Sequence, residues 1–330
     1  MQRRGSLGLA ALVLLACSSL ILSSCGLGTA GGKILKGELA GPLADVDSLD
    51  GVSLRVGSKN FTEQVILGKM AVTLLASAGA NVDDLTNIPG SAAARQAELE
   101  GQIDAMWEYT GTGWVTYLGH DKGIPDERKQ YEAVRDEDLK KNGMVWMEPA
   151  PLNNQYAFAV TQKVRKKFGV KTLSDITDIP VKERTFCVES EFINRPDGLI
   201  PMLKAYGIPL GKPDGVPNDN LKTYQTGAIY DATAKGECNF GEVFTTDGRI
   251  IALDLTVLED DKKILPNYNL SMVVDEDVLK ANPQITDIFT PVAKELTNEL
   301  MLKLNSKVDT EGQEASQVAY DWLKDEGFIK

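Results

Sequence analysis

Side chains able to hold a transition metal are scarce here: one histidine, His120, and four cysteines, Cys17, Cys25, Cys187 and Cys238. No CxxC or HExxH spacing occurs among them, and a single histidine cannot build a multi-histidine zinc site. Nucleophilic catalysis is equally short of parts, because no GxSxG elbow, P-loop or SxxK is present. A Ser-His-Asp triad would have to use His120, which lies in the polar turn Leu118-Gly119-His120-Asp121, where a solvated histidine is the plain account. The carboxylate pairs Asp83-Asp84 and Asp260-Asp261 sit in turn-like, charged surroundings and read as solvated loops. One GxGxxG match, Gly26 to Gly31, has no strand before it and no helix after it, so its dinucleotide reading fails. The expectation is a protein with no metal, no cofactor and no reaction to catalyse.

The elements that could carry a different function begin at the N-terminus. Arg3 and Arg4 precede an apolar run from Leu7 to Leu22, which leads into Ser23-Ser24-Cys25-Gly26. A cationic start, a hydrophobic segment too short and broken to span a membrane, and small residues before a cysteine read as an export signal. Leu22-Ser23-Ser24-Cys25 resembles the lipobox of bacterial lipoproteins, which implies cleavage after residue 24 and a lipidated Cys25. The chain has 35 basic and 47 acidic residues, net −12, and loss of residues 1–24 with two arginines leaves −14. No basic stretch offsets this, so nucleic acid is excluded as a partner. The acidic body would be held at the outer face of the cell membrane by its lipid, not by attraction to anionic headgroups.

Residues 25–50 read as a tether. From residue 51 short apolar runs alternate with amphipathic segments. Strands are expected at 53–57, 103–109, 144–147, 155–161, 184–189, 238–244, 250–258 and 268–274. Helices are expected at 60–78 (with Asn60 as the cap), 91–100, 126–141, 197–206, 226–235, 275–281 and 311–326. This alternation over 330 residues implies an α/β protein with parallel sheets, large enough for two domains. Cys187 and Cys238 fall in separate strands, and a disulfide or two buried free thiols fit equally well.

Five segments carry a resemblance. Gly57-Ser58-Lys59-Asn60-Phe61-Thr62-Glu63-Gln64, Glu108-Tyr109-Thr110-Gly111-Thr112-Gly113, Asn154-Gln155-Tyr156-Ala157, Arg195-Pro196-Asp197-Gly198 and Thr245-Thr246-Asp247-Gly248-Arg249-Ile250 follow one another in order. Together they resemble the osmoprotectant-binding lipoproteins of ABC importers, receptors for glycine betaine, choline, carnitine and related quaternary amines, over about residues 52–328. The resemblance implies a two-lobed, periplasmic-binding-protein-like (type II) clamp with a two-strand hinge, its lobes being 51–155 plus 259–330 and 156–258. It implies a monomer that delivers its ligand to the transmembrane subunits of a permease.

A trimethylammonium group offers no hydrogen-bond donor and a diffuse charge, so aromatic faces suit it better than carboxylates. Each ring contact contributes about 0.5–2 kcal/mol once desolvated, and several are needed. Motif by motif, the resemblance puts the aromatic cage on Tyr109, Tyr156, Phe244 and Tyr268. It puts the grip on a betaine carboxylate on Lys59, Thr112 and Arg195, with Asn154 and Gln64 as polar neighbours. Phe244 stands where the family commonly has Tyr, and the stretch Pro209 to Pro217 is longer than usual. Two cations facing the carboxylate lead to an expected preference for glycine betaine over choline. The alternative from another class is a surface hydrolase using His120.

Overall fold

The computed structural model describes residues 33–330; the leader, Cys25 and the GxGxxG segment lie outside the described residues. Ten strands are formed: β1 (Ser53–Lys59), β2 (Asn81–Ile88), β3 (Ala105–Tyr109), β4 (Met144–Trp146), β5 (Tyr156–Thr161), β6 (Phe186–Val188), β7 (Leu221–Thr223), β8 (Phe240–Phe244), β9 (Leu255–Val257) and β10 (Leu270–Asp275). They make two five-stranded sheets, ordered β2-β1-β3-β10-β4 and β7-β6-β8-β5-β9. The sheets are mixed, not purely parallel as expected. β1 runs parallel to β2 and β3, and β6 parallel to β7 and β8, whereas β10 and β5 each run antiparallel to both neighbours. The physical reason is connectivity: β5 and β10 enter their sheets directly from the other sheet, not through a helical crossover.

The two crossing segments lie side by side. Asn153 bridges Asn269 antiparallel, the Asn154 N–H donates to the Tyr268 carbonyl at 3.3 Å, and that of Leu270 to Leu152 at 3.0 Å. Leu258 and Leu265 belong to the core under the second sheet, and the Leu265 N–H donates to Asp260, so residues 259–265 pack there.

Helix Thr62–Ser77 is apolar on nearly every side because it is sandwiched between the first sheet and helix Ala315–Asp325. Ile66, Met70 and Leu74 on it meet a core that includes Trp107, Leu270, Phe289 and Leu323. Phe158, Phe186 and Phe240 centre the second core, with Phe186 and Phe240 stacked at 5.1 Å. Cys187 and Cys238 are disulfide-bonded, Cα to Cα 5.8 Å, tying β6 to the segment that leads into β8. Closing a separation of 51 residues contributes roughly 4 kcal/mol in the chain-entropy account.

Three expectations are corrected. The supposed tether is structured from residue 34 onward: Leu43 and Leu49 are fully buried in the first core, and the Ala40 N–H donates to the Phe328 carbonyl at 2.9 Å. Two buried leucines, each contributing roughly 1.5–3 kcal/mol, are enough to hold such a segment down. Asp83 and Asp84 lie in β2, the edge strand, not in a loop, and Asp84 pairs with Lys69. Asn60 does not cap the following helix, whose cap residue is Phe61; its Oδ1 accepts instead from the Gly90 N–H at 3.4 Å.

Candidate ligand-binding site

Strand ends deliver the site. β1 stops at Lys59, β3 at Tyr109 and β8 at Phe244, β5 starts at Tyr156, and the return crossing carries Tyr268 just before β10. All five border one cavity of about 410 Å³ between the sheets, together with Thr112, Asn154 and Arg195. Each strand end puts a side chain where the ladder no longer covers it, so residues scattered over 200 positions of sequence converge.

The rings form a connected wall. Tyr156 lies 5.1 Å from Phe244 and 5.8 Å, edge to face, from Tyr268, and is backed by Phe192 at 4.6 Å. Phe61, which the sequence reading passed over, stacks on Phe244 at 4.8 Å and lies 6.2 Å from Tyr109. Its signal was available, since it sits inside the quoted Ser58-Lys59-Asn60-Phe61 motif at the turn from β1 into its helix. Of the nine expected site residues, Gln64 is the one that does not reach the cavity lining. It is fully buried, and its Oε1 accepts from the Lys59 N–H at 3.2 Å, bracing the end of β1.

Behind the cage lies a buried acid. Glu63 accepts from Tyr109 Oη at 2.7 Å, Asn154 Nδ2 at 2.9 Å, Thr246 Oγ1 at 2.5 Å and Asn305 Nδ2 at 3.3 Å. Burial pushes the Glu63 carboxyl up from its ordinary range, against these hydrogen bonds, which hold it down. Tyr109 is thereby fixed by its hydroxyl while its ring stays turned to the cavity, 4.7 Å from Lys59 Nζ.

The cations, which lie against these rings with Arg195 5.3 Å from Tyr156, differ from expectation. Lys59 Nζ is bound by Glu108 Oε1 at 2.5 Å. The Arg195 fork is taken by Asp197, with Nε to Oδ1 at 2.7 Å and Nη2 to Oδ2 at 2.8 Å, and Tyr268 Oη donates to that same Oδ2 at 2.8 Å. Arg195 Nη1 reaches Glu191 Oε1 at 3.3 Å and Nη2 reaches Thr112 Oγ1 at 3.4 Å. Both cations are nearly sealed from solvent, so partners inside the protein are what their burial requires. Each cation therefore has an anionic partner of its own within the protein. Glu191 also crosses the cleft: Oε1 accepts from Ser91 Oγ at 2.5 Å and Oε2 from the Ser91 N–H at 3.1 Å. Burial pushes its carboxyl up, but the Ser91 hydrogen bond and the charges of Arg195 and Lys59 outweigh that and hold it below the usual carboxylate range.

His120 stands outside the cavity lining. Its ring stacks on Trp114 at 3.5 Å and Nε2 lies 3.0 Å from Glu137, so the hydrolase alternative finds no support. Among the described residues no cluster of His, Cys, Asp and Glu is arranged to hold a metal, and no helix is long and apolar enough to cross a membrane.

Two mixed α/β sheets joined by paired crossings, with an aromatic cleft between them, define the class of two-lobed solute-binding proteins. Within it, this chain belongs to the OpuAC family, the substrate-binding domain of ABC-type glycine betaine transport systems, whose model matches residues 52–325. It is 33% identical to the glycine-betaine-binding protein of Pseudomonas aeruginosa, over 84% of this chain and 89% of that one. It is 30% identical to the carnitine transport binding protein OpuCC of Listeria monocytogenes, over 96% of both. Among solved structures it is similar to apo YehZ from Escherichia coli, at 30% identity and TM-score 0.62 over 84% of this chain and 99% of that one. A glycine betaine/carnitine/choline ABC transporter structure aligns at 26% identity and TM-score 0.66, covering 82% and 98%.

Proposed function

We propose that the chain is the extracytoplasmic receptor of an ABC importer, taking a quaternary amine of the glycine betaine class into its aromatic cleft and passing it to the permease. The observation that carries this reading is the ring wall: Phe61, Tyr109, Tyr156, Phe244 and Tyr268 border a 410 Å³ cavity sized for a small ammonium ligand. Rings attract a methylated cation through their faces, and Glu63 behind them holds Tyr109 in place through its hydroxyl without touching the methyl groups.

The lobes of the clamp are residues 33–152 with 270–330 and residues 156–265, hinged on the paired crossings, and ligand selects the closed form. Cys25 is the lipidated residue that holds the monomeric receptor at the outer face of the membrane. Calorimetry with glycine betaine, carnitine and choline tests the ligand class, and binding of none of them overturns it. Small-angle scattering should show compaction on saturation. Fatty-acid labelling should disappear in Cys25→Ala; labelling that survives removes the anchor from the reading.

A further inference from the structure

We propose that Glu191 is a specificity-determining residue: its carboxylate occupies the place that a ligand's carboxylate would take, and so selects against zwitterionic amines in favour of purely cationic ones. The inference rests on the reading of the cleft as a quaternary-amine site and deepens it. Lys59, Arg195 and the Oγ and N–H of Ser91 could receive a ligand anion here, beside the Thr112 hydroxyl, which Arg195 Nη2 contacts. The two cations and Ser91 already have a protein carboxylate. Lys59 is held by Glu108, the Arg195 fork by Asp197, and Glu191 takes both Ser91 donors and the remaining Arg195 nitrogen.

Charge makes the same point. Two cations here contact three carboxylates, Glu108, Asp197 and Glu191, and Glu189 lines the same cavity, so negative charge is in excess here. Of the three, Glu191 is the one whose side chain remains partly open and lines the cavity: it is 28% exposed, against 0% for Glu108 and 4% for Asp197. A negative excess complements a cationic ligand and leaves a zwitterion's carboxylate facing a fixed like charge, an arrangement that is strongly disfavoured. An uncharged end group such as a hydroxyl meets no such opposition and can donate to Glu191 directly. A betaine enters only by displacing Glu191 from Ser91 or by enduring the repulsion.

The experiment is calorimetry on the detergent-solubilised full chain, wild type and Glu191→Gln, with choline and glycine betaine at one fixed salt concentration. Wild type should bind choline at least as tightly as glycine betaine. Glu191→Gln, which keeps shape and removes charge, should tighten glycine betaine about tenfold or more and weaken choline, so the ratio of the two Kd values inverts. Glu191→Ala should move the ratio the same way, with melting temperature confirming that each variant is folded. A ratio unmoved by either substitution, with both ligands still bound, overturns the proposal and leaves the quaternary-amine reading standing. Failure of the wild type to bind choline, glycine betaine or carnitine overturns both.

Discussion

The rings and the ionised groups of the cleft treat charge in opposite ways. The rings face the cavity and the acid behind them, Glu63, is withdrawn, satisfied by four donors and outside the cavity lining. The cations lie against those rings, Lys59 Nζ 4.7 Å from Tyr109 and Arg195 5.3 Å from Tyr156, but are neutralised within the protein, and a carboxylate is the group left partly open. Binding strength therefore belongs to the rings, and architecture and choice among ligands to the ionised groups. A charged side chain lining a cleft is no guide to ligand charge until its own partners have been named.

The largest effect expected from this contrast is on stability. Arg195→Ala leaves Asp197 buried without its fork, which should lower unfolding free energy by about 3–5 kcal/mol in urea titrations. An Arg195→Ala protein as stable as wild type would mean that the ion pairs do not hold the cleft together. Next comes Tyr156→Ala, at the centre of the ring wall, which should weaken choline and glycine betaine alike, by about tenfold each. Unequal losses would bring the cage into ligand choice and blur the division. Phe61→Ala, from a ring at the edge of the wall, should cost a few-fold on both, on the order of 0.5–1 kcal/mol.

The smallest effect is a pair of opposed pH signatures. Burial raises Glu63 above its ordinary value of 4.5, so its favourable contribution is complete below that value and is lost as pH rises through the folded pKa. Glu191 is held below 4.5, so its contribution is present above 4.5 and lost as pH falls through its folded pKa. Melting temperatures followed from pH 3 to 8 should therefore show Glu63→Gln gaining on wild type with rising pH, and Glu191→Gln losing ground over the acid part of the range. Parallel curves would mean that the two carboxylates share one environment.

Much of this was legible in the sequence, for identifiable reasons. Tyr109 and Tyr156 were readable because each sits at a strand end inside a recognisable motif, and Phe244 because it ends β8 directly before one, whereas Tyr268 lies on the crossing just before β10. What stayed hidden was mostly pairing. Glu108 neutralises Lys59 across 49 positions, and no spacing rule reaches that far. The Arg195–Asp197 fork is nearer to hand, two residues apart in Arg-Pro-Asp-Gly, a spacing at which a guanidinium and a carboxylate can meet either each other or a ligand. β2 was missed because an edge strand tolerates charge, so Asn81–Ile88 lacks an apolar alternation. Helices Gln284–Glu295 and Asn298–Asp309 went unassigned, the first carrying Pro291 in its interior. The β9 region was read as one strand over 250–258, yet Arg249–Ala252 is helical and only Leu255–Val257 is extended.

Glu63 also dictates an order of events. Its donors lie 46, 91, 183 and 242 residues downstream, in Tyr109, Asn154, Thr246 and Asn305. The core beneath its helix likewise waits for Phe289, Trp322 and Leu323 near the far end of the chain. Segments 156–265 can collapse on their own cluster in the meantime. The lobe built from one continuous stretch can thus close on local contacts, whereas the lobe begun at residue 34 needs the chain's last residues and one very long loop to close. A chain arriving N-terminus first therefore holds an unsatisfied acid and an uncovered apolar helix until nearly all of it has been delivered.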